Sequence, residues 1–141
     1  MTPRERLSDI MRGMQEDLAG YKALHALLER QFDAAVRHDT QTLEGVAESI
    51  VARVAALERS RSARVEHTAA LLGPGVRPSM TELMRRLSGP TLLQLTGLWS
   101  QLESQVRDCK ALNLRNCRLI MEQGEVMRRV LVGEEGIYAP A

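Results

Sequence analysis

Five prolines, at positions 3, 74, 78, 90 and 140, leave two long stretches, 4–73 and 91–139, with none at all. Proline is the strongest breaker of helix interiors, so these are the windows in which long helices can form. In both, apolar residues recur at alternating spacings of three and four, the pattern of helices that pack along a seam. The apolar set is Leu, Ala, Val and Met, and aromatic residues are only 3% of the chain. Unbranched side chains lose little rotamer freedom in a helix, whereas sheets lean on aromatic and β-branched residues. The expected fold is therefore all-α: an elongated antiparallel helical bundle of three long helices plus one short one, with coiled-coil-like packing.

The first helix opens at Thr2-Pro3-Arg4-Glu5, a capping box with proline at the first helical position. Its seam reads Leu7, Met11, Met14, Leu18, Tyr21, His25, Leu28, Phe32 and Ala35, and it is predicted to end near Arg37. Asp39 is a natural cap for a second helix with Leu43, Ala47, Ile50, Val54 and Leu57 on its seam, weakening toward Val65, Thr68 and Leu72. So short a connection makes the two helices antiparallel neighbours. Gly73-Pro74-Gly75-Val76-Arg77-Pro78 is a loop, and Ser79 with Glu82 opens a short helix over 80–88. The last helix is predicted from Pro90 to Val132, with Gly133 as its stop. Its seam is Leu92, Leu95, Trp99, Leu102, Val106, Cys109, Asn113, Asn116, Ile120, Met127 and Leu131. Residues 1–133 are thus expected to form a single domain and 134–141 a flexible tail. Glycines at 13, 20, 45, 97 and 124 fall inside these helices, each at a cost of about 1 kcal/mol against alanine. Bends or fraying are expected there.

Composition narrows the functional classes. The net charge is +1, from 19 basic and 18 acidic residues, so no field gathers a polyanion and no nucleic-acid binding is expected. The densest basic run, Arg59 to Arg64, is bracketed by Glu58 and Glu66 and reads as a solvated helix face. No apolar run is long enough to suggest a membrane span, and the N-terminal segment is amphipathic rather than secretory, so the expected home is the cytoplasm. Cys109 and Cys117 on one helix stand roughly 12 Å apart along its axis, beyond disulfide reach. There is no Cys-x-x-Cys, His-x-x-x-His or Gly-rich phosphate loop, so no metal, no cofactor and no enzymatic reaction are expected. His25 invites comparison with histidine-phosphotransfer bundles, which surround that residue with His-x-x-Lys-Gly. Here Leu28 and Glu29 replace the lysine and glycine, and an acidic side chain would repel phosphate.

The last helix carries more apolar surface than one antiparallel neighbour would cover. Leu112, Leu119, Val126 and Val130 lie about 100–140° round from the seam, and Leu114 and Met121 about as far to the other side. An ordinary surface helix needs one apolar band. Asn113 and Asn116 stand within this surface, either as a polar pair that sets helix register or as hydrogen-bonding groups for an incoming peptide. Tyr138, in a terminus otherwise small and acidic, has the makings of an interface anchor. These residues favour a protein-binding role. A self-associating coiled-coil scaffold and a histidine-phosphotransfer bundle are the alternatives.

The stretch Asn113-Leu114-Arg115-Asn116-Cys117-Arg118-Leu119-Ile120 resembles the Asn-x-x-Asn-x-x-Leu-Ile signature in the last helix of FlgN-like flagellar export chaperones. Leu98-Trp99 is similar to the Leu-Trp that opens that helix. Val130-Leu131-Val132-Gly133 and Ile137-Tyr138 resemble the family's helix end and tail tyrosine, and Asp39 with Leu43 fits its N-terminal hairpin. The resemblance implies a cytoplasmic chaperone of flagellar type III export. It would bind the C-terminal segments of hook-filament junction proteins, prevent their early assembly and deliver them to the export gate. The client surface implied lies around Asn113, Asn116, Leu119, Ile120 and Met127, to which the surplus apolar face adds Leu112, Val126 and Val130, and Tyr138 would contact the gate. Family tails often continue in glycine-rich or acidic residues, whereas this one ends Ala139-Pro140-Ala141. A weak homodimer is compatible with the same seams.

Overall fold

The computed structural model describes the backbone of residues 1–138 and the side chains of residues 1–132. Four helices follow one another: α1 (Pro3–Val36), α2 (Thr40–Leu72), α3 (Met80–Arg85) and α4 (Gly89–Tyr138). Each of the first three starts as its sequence dictates. The Thr2 hydroxyl accepts from the Glu5 N–H at 3.1 Å, and the Glu5 carboxylate accepts from the Thr2 N–H at 3.1 Å, closing the capping box. Asp39 accepts from the Thr42 N–H and hydroxyl at 3.1 and 2.6 Å, which holds its carboxyl below the usual range. Ser79 accepts from the Glu82 N–H at 3.1 Å. The turn between α1 and α2 passes through His38 at φ 56°, a left-handed conformation uncommon outside glycine.

The long helices run up, down and up. Arg64 of α2 pairs with Asp17 of α1, and further toward the N-terminus His67 lies 3.9 Å from Asp9, so residue numbers fall along α2 as they rise along α1. α4 runs parallel to α1 on its other side. α1 is therefore the central helix, with two buried faces, and among the described residues the backbones of α2 and α4 do not pack on each other.

This arrangement corrects several expected positions. The α1 seam holds at Met14, Leu28 and Ala35, but Asp17, Gly20 and Leu24 are also buried, because a second helix covers the other side. On α2, Val46 is buried and Ala47 exposed, and Val54 is 47% exposed because no fourth helix covers it. α3 stops at Arg85 rather than residue 88. The Arg86 guanidinium donates to the Leu72 carbonyl at 2.9 Å, and Gly89 turns the chain at φ 67°. α4 continues through Gly133 to Tyr138, so the predicted stop lies inside the helix. Residues 139–141 of the expected tail lie outside the described residues.

The core divides in two. At the α3 end, Ile10, Met14, Met80, Leu83, Leu95 and Leu102 form one cluster. Farther along, Leu24, Leu28, Leu57 and Cys109 form a thinner one. The helices run unbroken through the glycines at 13, 20, 45, 97 and 124, which do different things. A Cβ on Gly20 would sit 3.0 Å from Leu57 Cδ2, so this glycine admits α2 close to α1, whereas one on Gly97 would meet nothing. Gly97→Ala is expected to raise stability by about 0.5–1 kcal/mol through helix propensity, while Gly20→Val lowers it. Urea unfolding followed by circular dichroism checks both, and a destabilising Gly97→Ala would contradict an open helical site there.

Candidate functional site

The site is built on the way α4 is held. Leu95, Leu102, Cys109, Asn116 and Gln123 stand seven residues apart on α4. The Cys109 thiol donates to the Tyr21 carbonyl at 3.6 Å, Asn116 Nδ2 to the Leu28 carbonyl at 2.7 Å and Gln123 Nε2 to the Ala35 carbonyl at 2.8 Å. The offset between partners is 88 residues in all three. A constant offset means parallel helices in a single heptad register, and the acceptors Tyr21, Leu28 and Ala35 are themselves seven apart on α1.

Asn116 is the centre of this ladder. It is fully buried and has every polar atom engaged: Nδ2 also donates to Gln31 Oε1 at 2.8 Å, and Oδ1 accepts from Arg115 at 3.2 Å. Arg115 in turn lies over the Phe32 ring at 3.8 Å and 3.2 Å from Glu29. Of the two roles open to the asparagine pair, register setting describes Asn116. Asn113 is exposed, its Oδ1 near the Cys117 thiol. Burial pushes the Cys109 thiol pKa up, which keeps it protonated and able to donate. Tyr21 is raised mainly by burial as well, with Asp17 adding to the effect.

The same offset sets where cover for α4 runs out. α1 ends at Val36, which falls opposite Gly124, and Gln123 makes the last bond of the ladder. The remaining turns to Tyr138 overhang the hairpin by roughly 20 Å. Val126, Met127, Val130, Leu131 and Val132 are between 54% and 61% exposed. Val126 continues the line of Leu112 and Leu119, and Val130 that of Asn116 and Gln123, which meet α1 farther back, while Met127 and Leu131 flank them. The overhang is thus a seam without a partner, not a helix with randomly scattered apolar residues.

The expected surface residues therefore separate into three settings. Val126, Met127 and Val130 lie on the overhang; Ile120, 40% exposed, stands just before it. Leu112 and Leu119 are half-buried against α1, and Asn116 is enclosed. Tyr138 ends α4, and its side chain lies outside the described residues. What the sequence reading lacked was the contribution of α2: beside α4, its Ile50 and Val54 help to line an apolar groove. The signal was present in the apolar residues of the α2 seam, but only the packing shows that they remain uncovered.

Among the described residues, no group of three or more His, Cys, Asp or Glu side chains is placed to hold a metal ion. No described helix is long and apolar enough to cross a membrane. The family model described as FlgN protein matches residues 1–132. The chain belongs to the FlgN family. The match spans α1 to the overhang, and it assigns this FlgN-family protein the role of a non-enzymatic flagellar chaperone. No curated protein and no solved structure matches it.

In this FlgN-family chain Asn116 acts through its burial. Asn116→Ala takes the hydrogen-bond donor from Gln31 Oε1 and one acceptor from Arg115, and is expected to cost about 1–3 kcal/mol in urea unfolding. Unchanged stability would remove the ladder from its place in the fold.

Proposed function

We propose that this protein is a cytoplasmic chaperone of flagellar type III export that binds the C-terminal helical segments of hook-filament junction proteins and presents them to the export gate. The observation that carries the reading is the overhang of α4. A lone helix of this length is marginal in water, and it carries a continuous apolar face that nothing in the hairpin covers. An amphipathic client helix laid on that face would gain apolar burial and lose the same surface for its own assembly. No nucleotide or covalent step is needed, because competition for one apolar face does the work. Val126, Met127 and Val130 are the central contacts in this reading, with Ile120 and Asn113 along the same helix. Leu112 and Leu119 support from beneath, and Asn116 holds α4 in place instead of touching the client.

Burying one such side chain contributes about 1.5–3 kcal/mol. Val126→Asp with Met127→Asp is thus expected to weaken client binding at least about a hundredfold, with helicity unchanged by circular dichroism. Calorimetric titration with peptides from the C-termini of the cell's own hook-filament junction proteins measures it, and wild-type affinity in the folded double variant would move the site elsewhere.

The gate contact assigned to Tyr138 is separable, since it lies at the far end of the overhang. Tyr138→Ala is expected to leave peptide affinity within twofold while lowering the amount of client secreted. Normal secretion by the variant would reduce this tyrosine to a passive position.

A further inference from the structure

α4 leaves the cover of α1 within one turn, and the bonds made there set its direction. Two anchors hold it. The inner one is Asn116, bonded to the Leu28 carbonyl and to Gln31, with Arg115 stacked on Phe32 and paired with Glu29. The outer one is Gln123, half-buried, whose Nε2 donates to the Ala35 carbonyl at 2.8 Å. Ala35 belongs to the last turn of α1, where carbonyls find no partner farther along the helix. Its oxygen also accepts from the His38 N–H at 3.1 Å. Gln123 therefore ties α4 to the end of α1 and to the turn that leads into α2.

Past Gln123 the ties change. Among the described residues that follow it, Glu125, Arg128 and Arg129 pair with one another inside α4. The residue directly after the last tie is Gly124, and a Cβ added there would meet nothing within 4 Å. Glycine weakens a helix interior by about 1 kcal/mol against alanine, so the junction is a soft point with no neighbour to brace it.

Two anchors seven residues apart stand roughly 10 Å apart along the axis and define a direction, whereas one anchor leaves a pivot. From Gln123 to Tyr138 the helix runs roughly 22 Å. A bend of about 20° at the junction would swing its far end by about 8 Å. Val126, Met127 and Val130 would then leave the line that Ile120 and the earlier turns of α4 define. A client helix lying along both would lose part of its contact or spend binding energy on straightening the rod.

We propose that Gln123 is a positioning residue for client binding: its bond to the Ala35 carbonyl holds the overhang in line with the rest of α4 across the soft junction at Gly124. It acts through the direction of the helix and makes no contact with the client. This rests on the export-chaperone reading above and adds a residue to it that faces α1.

The test uses the full chain with two substitutions. Gln123→Met keeps the length of the side chain and removes its donor. Gln123→Lys keeps a donor, of a kind that suits the carbonyl end of a helix. Nitroxide labels on Gln41→Cys and Val132→Cys, in a Cys117→Ser background, read the direction of the overhang by pulsed electron spin resonance; both positions are exposed and Cys109 is buried. Gln41→Cys with Met121→Cys is the reference pair, on the near side of the junction. Gln123→Met is expected to broaden the 41–132 distance distribution about twofold and leave 41–121 unchanged, with Gln123→Lys close to wild type. In calorimetry with the same junction-protein peptides, on chains without labels, Gln123→Met is expected to weaken binding about three- to tenfold and Gln123→Lys less than about twofold. An unchanged 41–132 distribution in Gln123→Met would overturn the proposal, and so would a broadened one with wild-type peptide affinity. Equal losses in the Met and Lys variants would also overturn it, since they would mark a packing role without the hydrogen bond. Failure of the wild-type chain to bind any such peptide would instead overturn the chaperone reading, and the positioning role with it, whatever the distances show.

Discussion

The parallel register between α1 and α4 decides most of what is distinctive in this molecule. Three polar side chains one heptad apart on α4 donate to three carbonyls one heptad apart on α1. Apolar contacts alone specify a heptad seam weakly, because sliding by seven residues replaces one leucine by another. A buried amide removes that freedom, since a slipped Asn116 would lose its partners in a place without water. With α4 fixed lengthwise, the point where α1 stops covering it is fixed as well, and so are the extent and composition of the overhang.

Asn116 shows how one residue type served two readings. An asparagine in an apolar face is equally suited to a partner's backbone and to a neighbouring helix. In this fold it is buried between α4 and α1, with its polar atoms bonded within the chain. A functional surface next to such a lock gains from it. The exposed residues beyond Gly124 are held on a rod whose position is set by hydrogen bonds, so they form a fixed line of apolar groups. α1 lies at the middle of the molecule, and its two buried faces explain why Asp17 and Gly20 belong to the interior: one pairs with Arg64, the other admits Leu57.

The caps and the heptads were legible without coordinates because both depend on residues close in the chain. Thr2 with Glu5, Asp39 with Thr42, and Ser79 with Glu82 sit three apart and make their bonds whatever the rest of the chain does. The surplus of apolar residues on the last helix was legible as well. What periodicity does not carry is the number of neighbours a helix has. The same three-four pattern gave Val54 and Leu57 equal standing, yet one is nearly half exposed and the other buried. The predicted stop at Gly133 failed for a related reason: glycine marks a helix end only where the chain then turns, and here the chain continues straight.

By itself the sequence determined that this chain is helical, where the first three helices begin, and that its last helix is greasier than a simple bundle requires. Local hydrogen bonds and rotamer entropy act over a few residues, so they are written in the order of the amino acids. Tertiary structure alone decided which of those apolar residues are left over. Exposure depends on which helices meet and at what register, and here that is settled by contacts between residues 88 positions apart.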